Sequence, residues 1–473
     1  MGLEKDRVAG ASDRTKMAKR ILDIKREGGR SDRKPSASAP AYFSSLTVKN
    51  IRCFGPKQTL DLTDGEGRPA QWTVILGDNG VGKTTLLQSL AALLPVEDSV
   101  FKDDSDKKGI VPRYAEEDKL RDAWEPFRSG TDSFLIVAAF AAGVSLEEGR
   151  AGDEIPNFGV EGFREDGSFV DLRRFDELRD VVTCFGYGAA RHMGRASLST
   201  KSQEDPTATL FSDDTSLVNA EEWLLQADYM ASKKSPIQQQ AIQRRDRIKD
   251  ALLRLLPDVA DIRFLQPSDN QMKLGIEVET PYGWVAIGDL SLGYTTLIAW
   301  TVDMASRLFE RYPDSPNPLN EPAIVLVDEI DLHLHPRWQR SLMGYLSELF
   351  PNTQFIVTAH SPLVVQAATD ANIVVLRREG DHVIIDNDAQ SIRGWRIDQV
   401  LTSDLFGLES ARPPAFDDLL AKRKAILSKG KMTTRDKQNL RKIEAQIGSL
   451  PAGETPADIE AMDIIRRAAD RLR

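Results

Sequence analysis

Trp72-Thr73-Val74-Ile75-Leu76-Gly77-Asp78-Asn79-Gly80-Val81-Gly82-Lys83-Thr84-Thr85 is the stretch that decides the fold. A short apolar run, Trp72 to Leu76, stops at Gly77, and Leu86 to Leu94 then has helical character. The order is strand, glycine loop, helix. Phosphate is a dense anion, and a loop that binds it must aim backbone N–H groups at it. Gly77, Gly80 and Gly82 permit the left-handed turns that do so. The helix that follows adds its positive N-terminal end. Lys83 supplies a mobile charge for β- and γ-phosphates, and the Thr84 hydroxyl suits Mg²⁺. Gly77, Asp78, Asn79, Gly80, Gly82, Lys83, Thr84 and Thr85 are therefore the expected ATP-binding set.

Two further strands supply partners for that loop. Ile324-Val325-Leu326-Val327 is a continuous apolar run ending in Asp328-Glu329. Asp328 suits Mg²⁺ coordination through the metal's water shell, and Glu329 suits orienting or deprotonating an attacking water. Phe355-Ile356-Val357-Thr358 is a second such run, followed by Ala359 and His360. If the two strands lie side by side and parallel, their ends face one crevice and His360 reaches the γ-phosphate. His333-Leu334-His335 invites a metal reading, but no third ligand stands at a matching spacing.

The chain of 473 residues is long enough for two or three lobes. Its 41% hydrophobic and 28% charged residues are ordinary for a globular protein. No run of 18 apolar residues exists, so no membrane span is expected. The N-terminus is charged from Glu4 and lacks an apolar signal segment, and Asp6 stands where a myristoylation signal needs Ser or Thr. Cys53 and Cys184 make no disulfide framework, which points to a reducing, cytoplasmic setting. The net charge of -10 argues against a coat of nucleic acid. It hides an asymmetry, because residues 1–40 hold 11 Lys/Arg against 6 Asp/Glu.

The expected organisation is α/β, with a mixed β-sheet core. Residues 1–40 read as a basic disordered arm with a weak helix from Met17 to Ile24. Residues 41–95 and 270–412 read as the core. Residues 96–269 read as a compact helical insertion lobe carrying one core strand near 183–188, with Ala220 to Leu256 helical. Pro281-Tyr282-Gly283 signals a hairpin. Residues 413–473 read as a charged helical hairpin, broken at Gly430 and restarted by Thr433-Thr434 with Asp436.

With Asp289-Leu290-Ser291-Leu292-Gly293-Tyr294 between them, these motifs resemble an ABC-type P-loop ATPase head. That family includes transporter ATPase subunits, SMC and Rad50 heads, RecF and OLD-like ATPases. The resemblance implies a head-to-head homodimer or higher homo-oligomer using ATP and Mg²⁺. In it Thr84 and Asp328 would hold the metal, and Glu329 and His360 would be catalytic. Ser291 and Gly293 would be trans contacts to the partner's γ-phosphate, and Asp331 would be the D-loop residue at the dimer contact. Tyr294 departs from the family's usual Gln- or Glu-like residue.

A narrower resemblance rests on Asp328 to Pro336, Tyr187-Gly188-Ala189-Ala190-Arg191 and Val400 to Leu408. These stretches are similar to stand-alone bacterial ATPases that accompany nucleases in anti-phage defence, such as those of Septu (PtuA), retron and PARIS (AriA) systems. The resemblance covers roughly residues 42–412 and implies a sensor or regulator of a separate effector. Arg191 is left with two readings, a nucleotide contact or the end of a strand.

No long heptad run lies between Lys83 and Glu329, which separates the chain from Rad50-type and SMC proteins. Asp386-Asn387-Asp388, with Glu379 just upstream, offers a Toprim-like nuclease pattern. Those acids stand too close together, so a turn is expected and any nuclease belongs to another polypeptide. Residues 422–442 hold nine Lys/Arg and one acid, Asp436. They read either as a solvated hairpin or as a docking surface for DNA, RNA or an acidic partner. A RecF/Rad50-like repair ATPase and a slow-hydrolysing ATP-gated scaffold are the alternative functional readings.

Overall fold

The computed structural model describes residues 40–102, 108–112, 124–142, 146, 153–163, 169–171, 181–194, 205–265, 275–388, 394–403, 405–408, 410–429 and 432–447. Within 95–112 and 153–171 the backbone alone is described. The chain forms two compact units, residues 1–397 and 398–473.

The first unit is built on a six-stranded sheet. It contains β3 (Trp72–Gly77), β9 (Cys184–Tyr187), β13 (Ala323–Val327), β14 (Thr353–Thr358), β15 (Asn372–Glu379) and β16 (His382–Asp386) in the order β16-β15-β3-β14-β13-β9. The five strands from β15 to β9 are parallel, and β16 runs antiparallel at the edge. Parallel strands buried on both faces read as continuous apolar runs. β13 and β14 are accordingly buried at every position. Val327 pairs with Val357 and Tyr187, and Thr358 pairs with Ile75, so the C-terminal ends of four strands align. The crossover placed beside the sheet is α1 (Lys83–Ala92), which is buried along nearly its whole length, its Lys83, Thr85, Gln88 and Ser89 included.

The second layer is an antiparallel sheet of β1 (Ala41–Lys49), β2 (Gln58–Asp61), β6 (Ser133–Ala142), β7 (Asp153–Phe163) and β8 (Phe169–Asp171), ordered β2-β1-β6-β7-β8. A shared core holds the layers together, with Leu46, Phe140 and Phe43 on one side, Leu86, Leu87 and Leu90 of α1, and Ile324, Leu326 and Ile356 on the other. A bulge in the β1–β6 pairing lies between Phe43 and Ser45. The fully buried amide of Gln354 fills the gap from β14, accepting from Phe43 N at 2.9 Å and donating to Phe43 O at 2.8 Å.

Residues 96–269 differ from the expected helical lobe. β4 (Pro95–Lys102) pairs with β5 (Lys108–Pro112), and β6, β7 and β8 complete the sheet begun by β1. The long α-helices of this stretch are α2 (Ala220–Ser232) and α3 (Gln238–Leu255). Ser133 to Val137 alternates in burial along β6, but the half-buried positions Leu135 and Val137 are apolar too, so the alternation does not show in the residue types. The single helix expected over 220–256 breaks at Lys233–Ile237, where Pro236 cannot donate a helical hydrogen bond.

β10 (Ile262–Leu265), β11 (Gly275–Thr280) and β12 (Gly283–Ala286) form a meander whose last turn is the expected hairpin. α4 (Leu292–Arg311) follows, packing Phe309 on Trp223 of α2. The short helices α5 (Pro336–Gln339), α6 (Leu342–Leu349) and α7 (Pro362–Ala367) connect the later core strands. Asp386 ends β16, and Asn387 bonds the β2 backbone through Asp61 N and Thr59 O, which gives this stretch a structural duty.

α8 (Ile397–Leu401) spans the boundary between the units, and the second unit begins earlier than residue 413. Its hairpin consists of α9 (Pro414–Leu427) and α10 (Thr434–Ile447). Thr433 and Asp436 form a reciprocal cap at the start of α10. The basic arm, the helix expected over Met17 to Ile24, Gly430 and the chain beyond 447 lie outside the described residues.

Candidate functional site

The glycine loop joins β3 to α1. Gly77, Gly80 and Gly82 have φ of 145°, 78° and 90°. At Gly82 two constraints coincide, because a Cβ would lie 2.4 Å from Cys53 Sγ and 2.8 Å from Phe54 Cε2. Cys53 underpins the loop by donating to Val81 O at 3.4 Å. Burial pushes its thiol pKa up, which favours an unreactive support. Lys83 is almost fully buried and its Nζ donates to Gly77 O at 2.8 Å and Asp78 O at 2.9 Å. Burial lowers its pKa, while Asp328, Glu329, Asp78 and Asp331 pull it back up. Thr84 is half-buried, Thr85 is buried, and Asp78, Asn79 and Gly80 are exposed around the loop.

The acidic pair meets this loop directly. Thr84 Oγ1 donates to Asp328 Oδ2 at 2.7 Å. Thr358, the last residue of β14, donates through Oγ1 to Asp328 Oδ1 at 2.6 Å. The same Oγ1 accepts the Glu329 N–H at 2.7 Å. Glu329 is half-buried and has a φ of 48°, in the left-handed region. His360 follows Thr358 by two residues, and its backbone N–H donates to both oxygens of Asp331 at 3.2 Å. Gln339 braces the same corner, donating to Asp331 O at 3.2 Å and accepting from Ser361 Oγ at 2.7 Å. His335 caps α5 through Nδ1, which accepts from Arg337 N.

Arg191 sits behind the acidic pair. Its guanidinium donates to Asp328 O, to Glu329 O at 2.8 Å and to Gly188 O at 3.3 Å. Burial lowers its pKa to about 10 against the pull of Asp328, Asp331 and Glu329.

Ser291 and Leu292 are exposed at the start of α4. The Ser291 side chain makes no cap bond. Gly293 is buried, and a Cβ there would lie 2.6 Å from His333 O. Glycine is thus required by packing against the loop after the acidic pair, in addition to any ligand contact. Tyr294 donates to Pro257 O at 2.7 Å and meets Trp338 edge-on. Among the described residues no hydrogen bond joins Ser291 or Gly293 to the glycine loop.

Lys83, Thr84, Asp328, Glu329, Asp331 and His360 therefore share one corner of the sheet, whereas Gly293 packs on the loop after the acidic pair at His333. The bracing roles of Thr358, Gln339 and Arg191 were not read from the sequence. A polar Thr closing an otherwise apolar strand was the available signal for Thr358. The oxygens of Thr84 and Asp328 fit Mg²⁺, which takes a few hard protein oxygens and completes its shell with phosphate and water. The glycine loop, Lys83 and the α1 N-terminus fit a triphosphate.

A family profile described as "AAA domain, putative AbiEii toxin, Type IV TA system" matches residues 72–366. The Septu protein PtuA of Bacillus mycoides is 25% identical over 409 residues, covering 86% of this chain and 50% of that protein. The retron Ec83 probable ATPase of Escherichia coli is 32% identical over 195 residues, covering 41% of this chain and 34% of that protein. The retron Vc95 probable ATPase of Vibrio cholerae is 49% identical over 92 residues, covering 20% of this chain and 18% of that protein. The matched stretches thus span half or less of these curated relatives. Among solved structures, the SMC head domain from Thermotoga maritima aligns with a TM-score of 0.39 at 16% identity, covering 74% of this chain and 99% of that one. Among the described residues no helix is long and apolar enough to cross a membrane. With glycine loop, acidic pair and following histidine all inside the matched span, the chain belongs to this AAA-domain family of P-loop ATPases.

Proposed function

We propose that the chain is a Mg²⁺-dependent ATP hydrolase that closes head-to-head on ATP and regulates a separate effector, a nuclease, in cytoplasmic anti-phage defence. The observation that carries the enzymatic part is the 2.7 Å bond from Thr84 to Asp328, which joins the glycine loop to the acidic pair. The defence part rests on similarity to a Septu protein and to retron ATPases.

On binding, the Lys83 ammonium exchanges the Gly77 and Asp78 carbonyls for β- and γ-phosphate oxygens. Thr84 and Asp328 would hold a Mg²⁺, which would supply neutralisation of phosphate charge. The Glu329 carboxylate takes the proton of the attacking water as its oxygen bonds to the γ-phosphorus. The bond from that phosphorus to the bridging oxygen breaks, leaving ADP and phosphate. His360 contacts the γ-phosphate from the end of the neighbouring strand. Ser291 and Gly293 of a second copy cap the same phosphate, in keeping with an exposed Ser291 that makes no cap bond.

Phosphate release from the wild type and from Glu329→Gln tests the catalytic assignment. The variant should retain ATP, accumulate as a dimer in sedimentation and release phosphate at least about a hundredfold more slowly. Equal rates would overturn it. Capture of a neighbouring gene's nuclease by the full chain tests the effector part, and an ATP-bound dimer that captures none argues against it.

A further inference from the structure

Glu329 is held in a conformation that its residue type disfavours. Its φ of 48° lies in the left-handed region, which costs a non-glycine residue about 1–2 kcal/mol. Such a conformation persists where its surroundings over-determine it. Here the Glu329 N–H is fixed by Thr358 Oγ1 at 2.7 Å, and the next N–H, of Ile330, by Thr358 O at 3.0 Å. On the carbonyl side, Leu332 N–H donates to Glu329 O at 3.0 Å, and one side chain, Arg191, grips the carbonyls of both acids. Arg191 Nη2 donates to Glu329 O at 2.8 Å, and Nη1 donates to Asp328 O.

A buried guanidinium is expected to face a carboxylate, often with two parallel bonds. Arg191 is 4% exposed, and its hydrogen bonds go to main-chain carbonyls. Its Nε–H is buried without a partner among the described residues. Desolvating a charge and leaving a donor unpaired are both costly. A plug for the end of β9 could be built more cheaply from an apolar side chain. The two carbonyls it grips flank the Glu329 φ and ψ torsions, so the fork helps to fix the backbone from which that carboxylate projects.

We propose that Arg191 is a positioning residue for hydrolysis, gripping the Asp328 and Glu329 carbonyls so that the Glu329 carboxylate faces the γ-phosphate. This rests on the reading of Glu329 as the base. A lysine at 191 keeps a charge but loses the planar fork, so it cannot hold the two carbonyls in the same fixed geometry.

Turnover and ATP affinity would be measured for the wild type, Arg191→Lys, Glu329→Gln and the double variant. Arg191→Lys should lose at least about tenfold in kcat while the Kd for ATP stays within about threefold. The double variant should turn over no more slowly than Glu329→Gln, because both changes remove one function. Arg191→Ala, if folded, should regain turnover on adding methylguanidinium. Wild-type kcat in Arg191→Lys beside a crippled Glu329→Gln would overturn this proposal alone. So would losses that multiply in the double variant, or a loss confined to ATP affinity or melting temperature. Wild-type turnover in Glu329→Gln would overturn the parent reading and this one with it.

Discussion

Thr358 Oγ1 donates to the Asp328 carboxylate at 2.6 Å and, through the same oxygen, accepts the Glu329 N–H at 2.7 Å. One hydroxyl on β14 thereby sets the carboxylate of one acid and the backbone of the next, in the segment just after β13. Replacing it with the isosteric valine leaves a buried acceptor and a buried donor unpaired. Thr358→Val should destabilise the chain by about 1–3 kcal/mol in denaturant titrations. Phosphate release should fall by at least about tenfold, because Glu329 loses its N-terminal anchor.

Lys83 is nearly buried and rests on two carbonyls of its own loop. Its charge meets the phosphates, so Lys83→Met should abolish tight ATP binding without unfolding the chain. Calorimetric melting checks this. ATP at about 100 times its Kd should stabilise the wild type by about 2.7 kcal/mol, and this shift should vanish in the variant.

Gly293 approaches His333 O so closely that a methyl group would lie 2.6 Å from it. Both partners are backbone, so neither can rotate away. Gly293→Ala should cost about 1–3 kcal/mol and lower the melting temperature even without nucleotide. A variant as stable as the wild type would show that glycine serves a ligand alone.

Gln354 repairs the bulge in the second sheet by bonding both polar groups of Phe43. Gln354→Leu fits the space and removes both bonds in a fully buried setting. It should destabilise the chain by about 2–3 kcal/mol, read from chemical denaturation. ATP affinity of the folded fraction should stay unchanged, since the bulge lies at the opposite end of β14 from His360.

Asp436 caps α10 by accepting from Lys429 Nζ at 2.7 Å, Thr433 N at 3.0 Å and Thr433 Oγ1 at 2.7 Å. The Lys429 bond, with the two from Thr433, holds its carboxyl far below the usual carboxylate range. A depressed folded pKa means that the stabilisation is present above the unfolded value, about 3.9, and is lost as pH falls through the folded one. Amide exchange in residues 434–447 should be slow at neutral pH, after correction for intrinsic rates, and lose protection below about pH 3. Asp436→Asn should show the weaker protection at every pH.

The nucleotide-site motifs were legible because their chemistry is local. A strand, three glycines, Lys83 and Thr84 make a phosphate cradle from consecutive residues, and buried parallel strands announce themselves as unbroken apolar runs. Bringing the segments after the two strands together needed only the inference that two such runs lie side by side, which the β13–β14 ladder bears out. The strands of 133–171 were less legible, because strand pairing is non-local. β6 closes against β1, about ninety residues upstream, and no short window carries that information.

Sequence alone therefore determined which residues are the candidates for a triphosphate site and in what order they stand along the chain. Tertiary structure decided how those residues are held. Thr358 across the sheet, Gln339 across a loop and Arg191 from the segment after β9 each bond backbone atoms of the acidic pair or of the segment after it, and Thr358 bonds the Asp328 carboxylate as well. A side chain that bonds a distant main chain leaves no mark in the identity of its partner, because every residue offers the same carbonyl and, proline apart, the same N–H.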